Sequence, residues 1–126
     1  MRTTFHLVPA EVWTAAEARL AGGARYAAAS LETEGFIHCT DGVDALGVTF
    51  DRFYAVDPRP FLALTLDLDA LDVPWRYDDP GKPYPHIYGE IRTEAVMAEA
   101  AVERQQDGRF AGLRPIGPDE ATAQTD

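Results

Sequence analysis

The sequence is short of cysteine, of basic charge and of long apolar runs, and each shortage removes a class of protein. A single cysteine, Cys39, cannot close a disulfide within the chain or build a cysteine-rich zinc site, which fits a reducing compartment. Only 11 Lys and Arg stand against 21 Asp and Glu, and the resulting net charge of -10 repels a long phosphate backbone or an anionic membrane. No apolar run approaches the roughly 18 to 20 residues that cross a bilayer, and the first residues lack the basic-then-apolar layout of a signal peptide. The expectation is a cytoplasmic protein with no membrane partner and no long nucleic-acid partner. What is present, 126 residues of which 46% are hydrophobic and 25% charged, suffices for one core. This predicts a single globular domain over residues 1–116 and a polar, disordered tail at 117–126.

Histidine is scarce as well, and its placement is informative. All 3 histidines lie in short signatures: His6 in Thr3-Thr4-Phe5-His6-Leu7-Val8, His38 in Gly35-Phe36-Ile37-His38-Cys39-Thr40, and His86 in Pro85-His86-Ile87-Tyr88-Gly89. Each signature reads as strand or strand end, where an imidazole needs a hydrogen-bond partner, a ligand or a cavity. That concentrates the search for chemistry on one sheet.

Local patterns supply the remaining elements. Pro9 opens a helix over Ala10–Leu20 that packs Trp13 and Leu20 on the sheet, with Glu17 off that face and Gly22-Gly23 as its stop. The weakly patterned stretch from Ala24 to Glu34 reads as an extended loop or irregular strand. Thr40 and Asp41 are natural N-caps for a second helix, whose apolar face is Val43, Leu46, Val48, Phe50, Phe53 and Tyr54 and whose end carries Arg52. Phe61–Asp67 is apolar on both faces and therefore a central strand. Val73–Tyr77 is a short strand, and Asp78-Asp79-Pro80-Gly81-Lys82-Pro83 is a turn-rich loop delivering the chain to His86. In Val96–Glu103 the alanine content favours helix, whereas Val96, Ala98, Ala100 and Val102 alternate, and the alternation with Asp107-Gly108 as a hairpin turn before Arg109-Phe110 favours a strand.

These residues bear on chemistry unequally. The histidines with Glu34, Asp41, Glu90 or Cys39 could supply a three-ligand zinc site, but no two histidines share the short spacing that puts both donors on one element, so no metal is expected. A Cys39 thiolate needs a base at its sulfur, and His38 points to the opposite face of its strand, so a buried, inert thiol is the simpler reading. Each histidine has a structural alternative, hydrogen-bonded to backbone and satisfied. Arg52 as a solvated helix end, Tyr88 as a core aromatic and Glu90 as a surface carboxylate are the corresponding structural readings.

Together with Ser30-Leu31-Glu32 and Arg52-Phe53-Tyr54, the three histidine signatures closely resemble, in content and order, a family of small bacterial proteins known as domain of unknown function 952, from Thr3 to Leu113. That family is similar in fold to the ADP-ribosyltransferase and RNA 2'-phosphotransferase group. The resemblance implies an α+β fold in which two small, mostly antiparallel sheets form a cleft flanked by about two helices. It implies NAD or ADP-ribose as the ligand, with His6 bonding a ribose, Gly35, Phe36 and Thr40 along the nicotinamide, and His86 with Tyr88 near the reacting ribose. Breaking an N-glycosidic bond builds positive charge on the ribose, and Glu90 is the carboxylate offered to it, alongside His38 and His86 as catalytic histidines. In a phosphotransferase-like version Arg52, His38 and His86 grip a phosphate by charge-assisted hydrogen bonds. Three functions stay open: a transferase handling NAD or ADP-ribose, a non-catalytic binder of a nucleotide or phosphorylated metabolite, and an interaction module with structural histidines.

Overall fold

A computed structural model describes residues 1–116. The expected tail at 117–126 lies outside the described residues. The chain builds two antiparallel sheets and three α-helices in the order β1 (Thr3–Pro9), α1 (Ala10–Leu20), α2 (Ala29–Glu34), β2 (Ile37–His38), α3 (Val43–Phe53), β3 (Phe61–Asp67), β4 (Trp75–Arg76), β5 (His86–Ile87), β6 (Val96–Arg104) and β7 (Phe110–Ile116). The larger sheet has the order β1-β3-β6-β7 and the smaller one β2-β5-β4. The expected mixed α+β class therefore holds. No helix among the described residues is long and apolar enough to cross a membrane.

β3 is central because it has two faces to bury, and five of its first six residues, Phe61 to Leu64 with Leu66, are apolar; it pairs with β1 on one side and β6 on the other. β1 instead alternates, with Thr4, His6 and Val8 buried. That alternation turns His6 inward, toward the core that α1 closes with Trp13 and Ala16. Among the described residues the backbones of the two sheets pair at one bridge, where Phe5 N–H donates to Thr40 O at 2.9 Å and Thr40 N–H donates to Phe5 O at 2.8 Å. His6 thus belongs to the larger sheet, whereas His38 and His86 are direct partners across β2 and β5 of the smaller one. The expectation of one histidine-bearing sheet is corrected to two.

Three further expectations are corrected. Ala24–Glu34 is not all loop: it ends in α2, which buries none of its own residues and so leaves no apolar stripe in the sequence. Gly35 closes it at φ 90°, a conformation that glycine adopts without strain. Neither Thr40 nor Asp41 caps α3, since Gly42 holds the N-cap position and no side chain caps it; Thr40 is engaged by Phe5, and Asp41 accepts from Tyr77 Oη at 2.5 Å. On α3 only Leu46 and Phe50 are buried, while Val48 and Phe53 are 63% and 62% exposed, so the apolar face is narrower than its residue types imply.

Arg104 ties α3 to the β6–β7 hairpin. Its guanidinium donates to Gly108 O and Arg59 O, each at 2.9 Å, to Ala55 O at 3.0 Å and to Tyr54 O at 3.2 Å, and lies over the Phe50 ring at 5.0 Å. A lysine has neither the fork nor the planar face. Arg104→Lys is expected to lower unfolding free energy by about 2 kcal/mol, with carbonyls left unpaired. Urea denaturation measures this, and a midpoint equal to wild type would contradict the clamp.

Candidate functional site

The two sheets and the three helices enclose a cleft of about 780 Å³. β1 supplies Phe5 to Pro9, β2 and its extension supply His38 to Thr40, and β5 supplies His86; α2 adds Ala29, Ser30 and Glu34, and α3 adds Val48, Thr49, Arg52 and Phe53. The exposed Val48 and Phe53 of α3 therefore face this cleft and not the core. Of the residues expected at a site, the cleft gathers His6, His38, Thr40, Arg52 and His86.

His6 is spent on the protein itself. A carbonyl only accepts, so Nδ1–H must donate to His38 O, at 2.8 Å. The bare Nε2 then accepts from Tyr26 Oη, also at 2.8 Å. Both nitrogens are satisfied, and the ring stands edge-on to Tyr26 at 5.4 Å. Burial disfavours the charged imidazolium and pushes the His6 pKa down to about 4, although the His38 carbonyl opposes the shift. Burial likewise pushes the Tyr26 phenol upward, so it stays a proton donor.

His86 is held from behind. Its Nδ1 lies 2.8 Å from Asp78 Oδ2, and its ring stacks on Phe36 at 4.0 Å with 16° between planes. Asp78 also accepts from the Tyr88 hydroxyl and, at 2.6 Å, from Arg76 Nε. Arg76 in turn lies over the Tyr88 ring at 4.2 Å. The Tyr88 hydroxyl, Arg76 and His86, in that order, hold the Asp78 carboxyl well below the usual carboxylate range. The short β4–β5–β2 pairings create this hub, because Arg76 and His38 are both register partners of His86.

His38 stands beside His86 with ring centroids 5.5 Å apart, and its Nε2 pairs with Glu34 Oε2 at 3.0 Å. Glu34 is the only carboxylate among the described residues lining the cleft. Two cationic side chains line it as well. Arg59 is engaged by Asp57 at 2.8 Å and by Glu11 at 3.4 Å, whereas Arg52 has no carboxylate partner among the described residues and lies only against the ring of Phe53, at 5.4 Å. Cys39 also lines the cleft but is buried; burial first, then the Asp41 charge, pushes its thiol up, so it stays protonated.

Glu90 is exposed and lies outside the cleft, where its charge acts on Arg25. Gly35, Phe36 and Tyr88 are likewise not lining residues: Gly35 ends α2, Phe36 backs His86, and Tyr88 bonds Asp78. Gly89 serves packing, since a Cβ there would sit 2.6 Å from Val73. Asp78 and Glu34 carry the site's carboxylate chemistry; the sequence offered Glu34 only as a possible zinc ligand, and Asp78 only as part of a turn. Asp78 belongs to a turn-forming run, and Glu34 reaches His38 four residues on only because α2 ends between them.

A family model described as a protein of unknown function, DUF952, matches residues 7–99. The chain belongs to the DUF952 family. No curated protein matches it. Among solved structures it is similar to protein CC0527 of Caulobacter crescentus: the crystal structure has a TM-score of 0.70 at 21% identity, covering 87% of this chain and 94% of that one. The solution structure of CC0527 has a TM-score of 0.65 at 22% identity, covering 86% and 91%. At that identity the likeness is one of fold, and it extends the α+β arrangement to a second chain.

The buried neutral His6 sets a pH dependence. Its folded pKa of about 4 lies below the ordinary 6.5, so between these values the unfolded chain binds a proton that the native state refuses. Its contribution is complete above pH 6.5 and falls by about 3 kcal/mol as the pH drops through pH 4. Urea denaturation from pH 7 to 4 should show this loss, and His6→Gln should flatten it over that window. An equal slope in both proteins would assign the acid sensitivity elsewhere.

Proposed function

We propose that the cleft binds a ribosylated nucleotide of the NAD or ADP-ribose type, in an ADP-ribosyltransferase-like arrangement of two sheets. The observation that carries this reading is Arg52, a guanidinium with no carboxylate partner among the described residues in a protein whose acidic side chains outnumber its basic ones, opening into the same cleft as His38 and His86. Such a group suits a phosphate, by bidentate charge-assisted hydrogen bonds. The volume lies within the range of about 300–1,000 Å³ typical of small-molecule sites. Val12, Val48 and Phe53 supply apolar contact for a base, and Thr40 with Thr49 supply hydroxyls.

For a transferase or hydrolase, Glu34 replaces Glu90 as the carboxylate offered to a positively charged ribosyl centre. The second reading, binding without turnover, draws support from His6: both its nitrogens are occupied, so the ribose contact implied by the resemblance is not free to form. Turnover separates the two.

Thermal melts of the full chain with millimolar NAD, ADP-ribose and inorganic phosphate test binding, because a ligand of the native state raises Tm by mass action. ADP-ribose should raise the Tm of wild type, and Arg52→Ala should weaken that binding by about tenfold or more while leaving the ligand-free Tm unchanged, since Arg52 is exposed. No shift with any nucleotide rejects the proposal. Release of nicotinamide from NAD that is lost in Glu34→Gln favours turnover; binding without release favours the non-catalytic form.

A further inference from the structure

Behind His86 lies a carboxylate with more donors than a surface turn requires, and their identities fix a proton. Asp78 Oδ1 is taken by Arg76 Nε at 2.6 Å, and Oδ2 is shared by the Tyr88 hydroxyl and His86 Nδ1, the latter at 2.8 Å. An ionised carboxylate only accepts, so Nδ1 of His86 must carry a hydrogen. In the neutral ring Nε2 is then bare. It has no hydrogen-bond partner among the described residues, and His86 lines the cleft. Phe36, stacked at 4.0 Å, fixes the plane of the ring, so the direction of Nε2 is set as well as its proton.

We infer that Asp78 is a positioning residue that holds His86 in the Nδ1–H tautomer, so that the cleft offers Nε2 as an acceptor to a hydroxyl group of the ligand. This rests on the cleft being the ligand site, and it assigns the site a second element of selectivity: Arg52 suits an anion, and His86 suits an O–H donor. A ribose offers both a phosphate-bearing carbon and free hydroxyls; inorganic phosphate or a deoxygenated analogue offers less to Nε2.

The hub also dictates what a neutral replacement does. In Asp78→Asn the amide must place its oxygen at one of two positions. Arg76 can only donate, so the oxygen belongs at the Oδ1 position and the NH2 group at the Oδ2 position. Tyr88 can turn its hydroxyl to accept, but His86 then meets a donor at Nδ1. The imidazole answers by moving its hydrogen to Nε2, and the cleft exchanges an acceptor for a donor with almost no change in shape. Second-position carboxylates have this effect on histidine in other enzymes, where the tautomer and not the geometry is lost.

Long-range proton–nitrogen NMR of the nitrogen-15-labelled full chain at pH 8, with His86 assigned by comparison with His86→Gln, reads the tautomer directly. Wild type should show His86 protonated at Nδ1, and Asp78→Asn should show it protonated at Nε2. Wild-type His86 protonated at Nε2, or an unchanged Nδ1–H form in Asp78→Asn, overturns the inference. The wild-type spectrum decides the first of these even if the variant fails to fold. In melts, Asp78→Asn should bind ADP-ribose about tenfold more weakly and respond to inorganic phosphate as wild type does; equal ADP-ribose affinity overturns the acceptor role. Absence of any ADP-ribose shift in wild type rejects the nucleotide reading of the cleft and with it the ligand half of this inference, whereas the tautomer is still judged by its own spectrum.

Discussion

Two strands from different sheets touch at Phe5 and Thr40, and the cleft exists because they do. Their paired backbone hydrogen bonds, at 2.9 and 2.8 Å, make a single bridge between sheets that otherwise pair only within themselves. One residue further along β1, His6 reinforces the joint from within, donating to the His38 carbonyl and accepting from Tyr26. An alanine there would leave a buried carbonyl and a buried phenol unpaired, and a protonated imidazole would lose the Tyr26 hydroxyl as its donor. The most prominent histidine of the sequence is therefore a hinge pin, and its neutrality is part of the joint.

Around that joint the charges are arranged against the average of the molecule. The acidic excess is screened over roughly 8–10 Å at moderate salt. Within the cleft, short-range pairs decide instead. Glu34 meets His38 and Asp78 meets His86, so carboxylates serve imidazoles, while Arg52 keeps its charge available. Arg59, on the same cleft, is by contrast consumed by Asp57 and Glu11.

The sequence was most readable where burial imposes a period. The β-branched and aromatic run before Pro9, the apolar run of Phe61–Asp67 and the Asp107-Gly108 turn yield β1, β3 and the β6–β7 hairpin because each signal is local. Reading failed where a residue serves the cleft. Val48 and Phe53 look like core on α3, since hydrophobicity does not say which cavity it faces; α2 escaped because it buries nothing. Of the site, His38, His86, Thr40 and Arg52 were visible, since polar residues in strand-like signatures stand out. Asp78 was not, and Glu34 was offered only as a metal ligand, because their roles depend on a pairing of β4 with β5 and on a helix end that no short window contains. Glu90 was chosen by adjacency to a motif, and a chain that turns away after Tyr88 makes adjacency a poor guide.

The four carbonyls gathered by Arg104 have a consequence for how the walls of this cleft are held. They belong to the end of α3, to the segment leading into β3 and to the β6–β7 turn, so the wall carrying Arg52 and Phe53 is bolted to the larger sheet. Among the described residues, the extension of β2 meets that wall through a hydroxyl contact, Thr40 Oγ1 to Thr49 Oγ1 at 3.5 Å. What holds the imidazole side is packing instead, since Ile37 of β2 and Ile87 of β5 are fully buried in the core shared with Val8 and Leu64. The anion-gripping side is therefore held by polar clamps and the imidazole side by apolar burial.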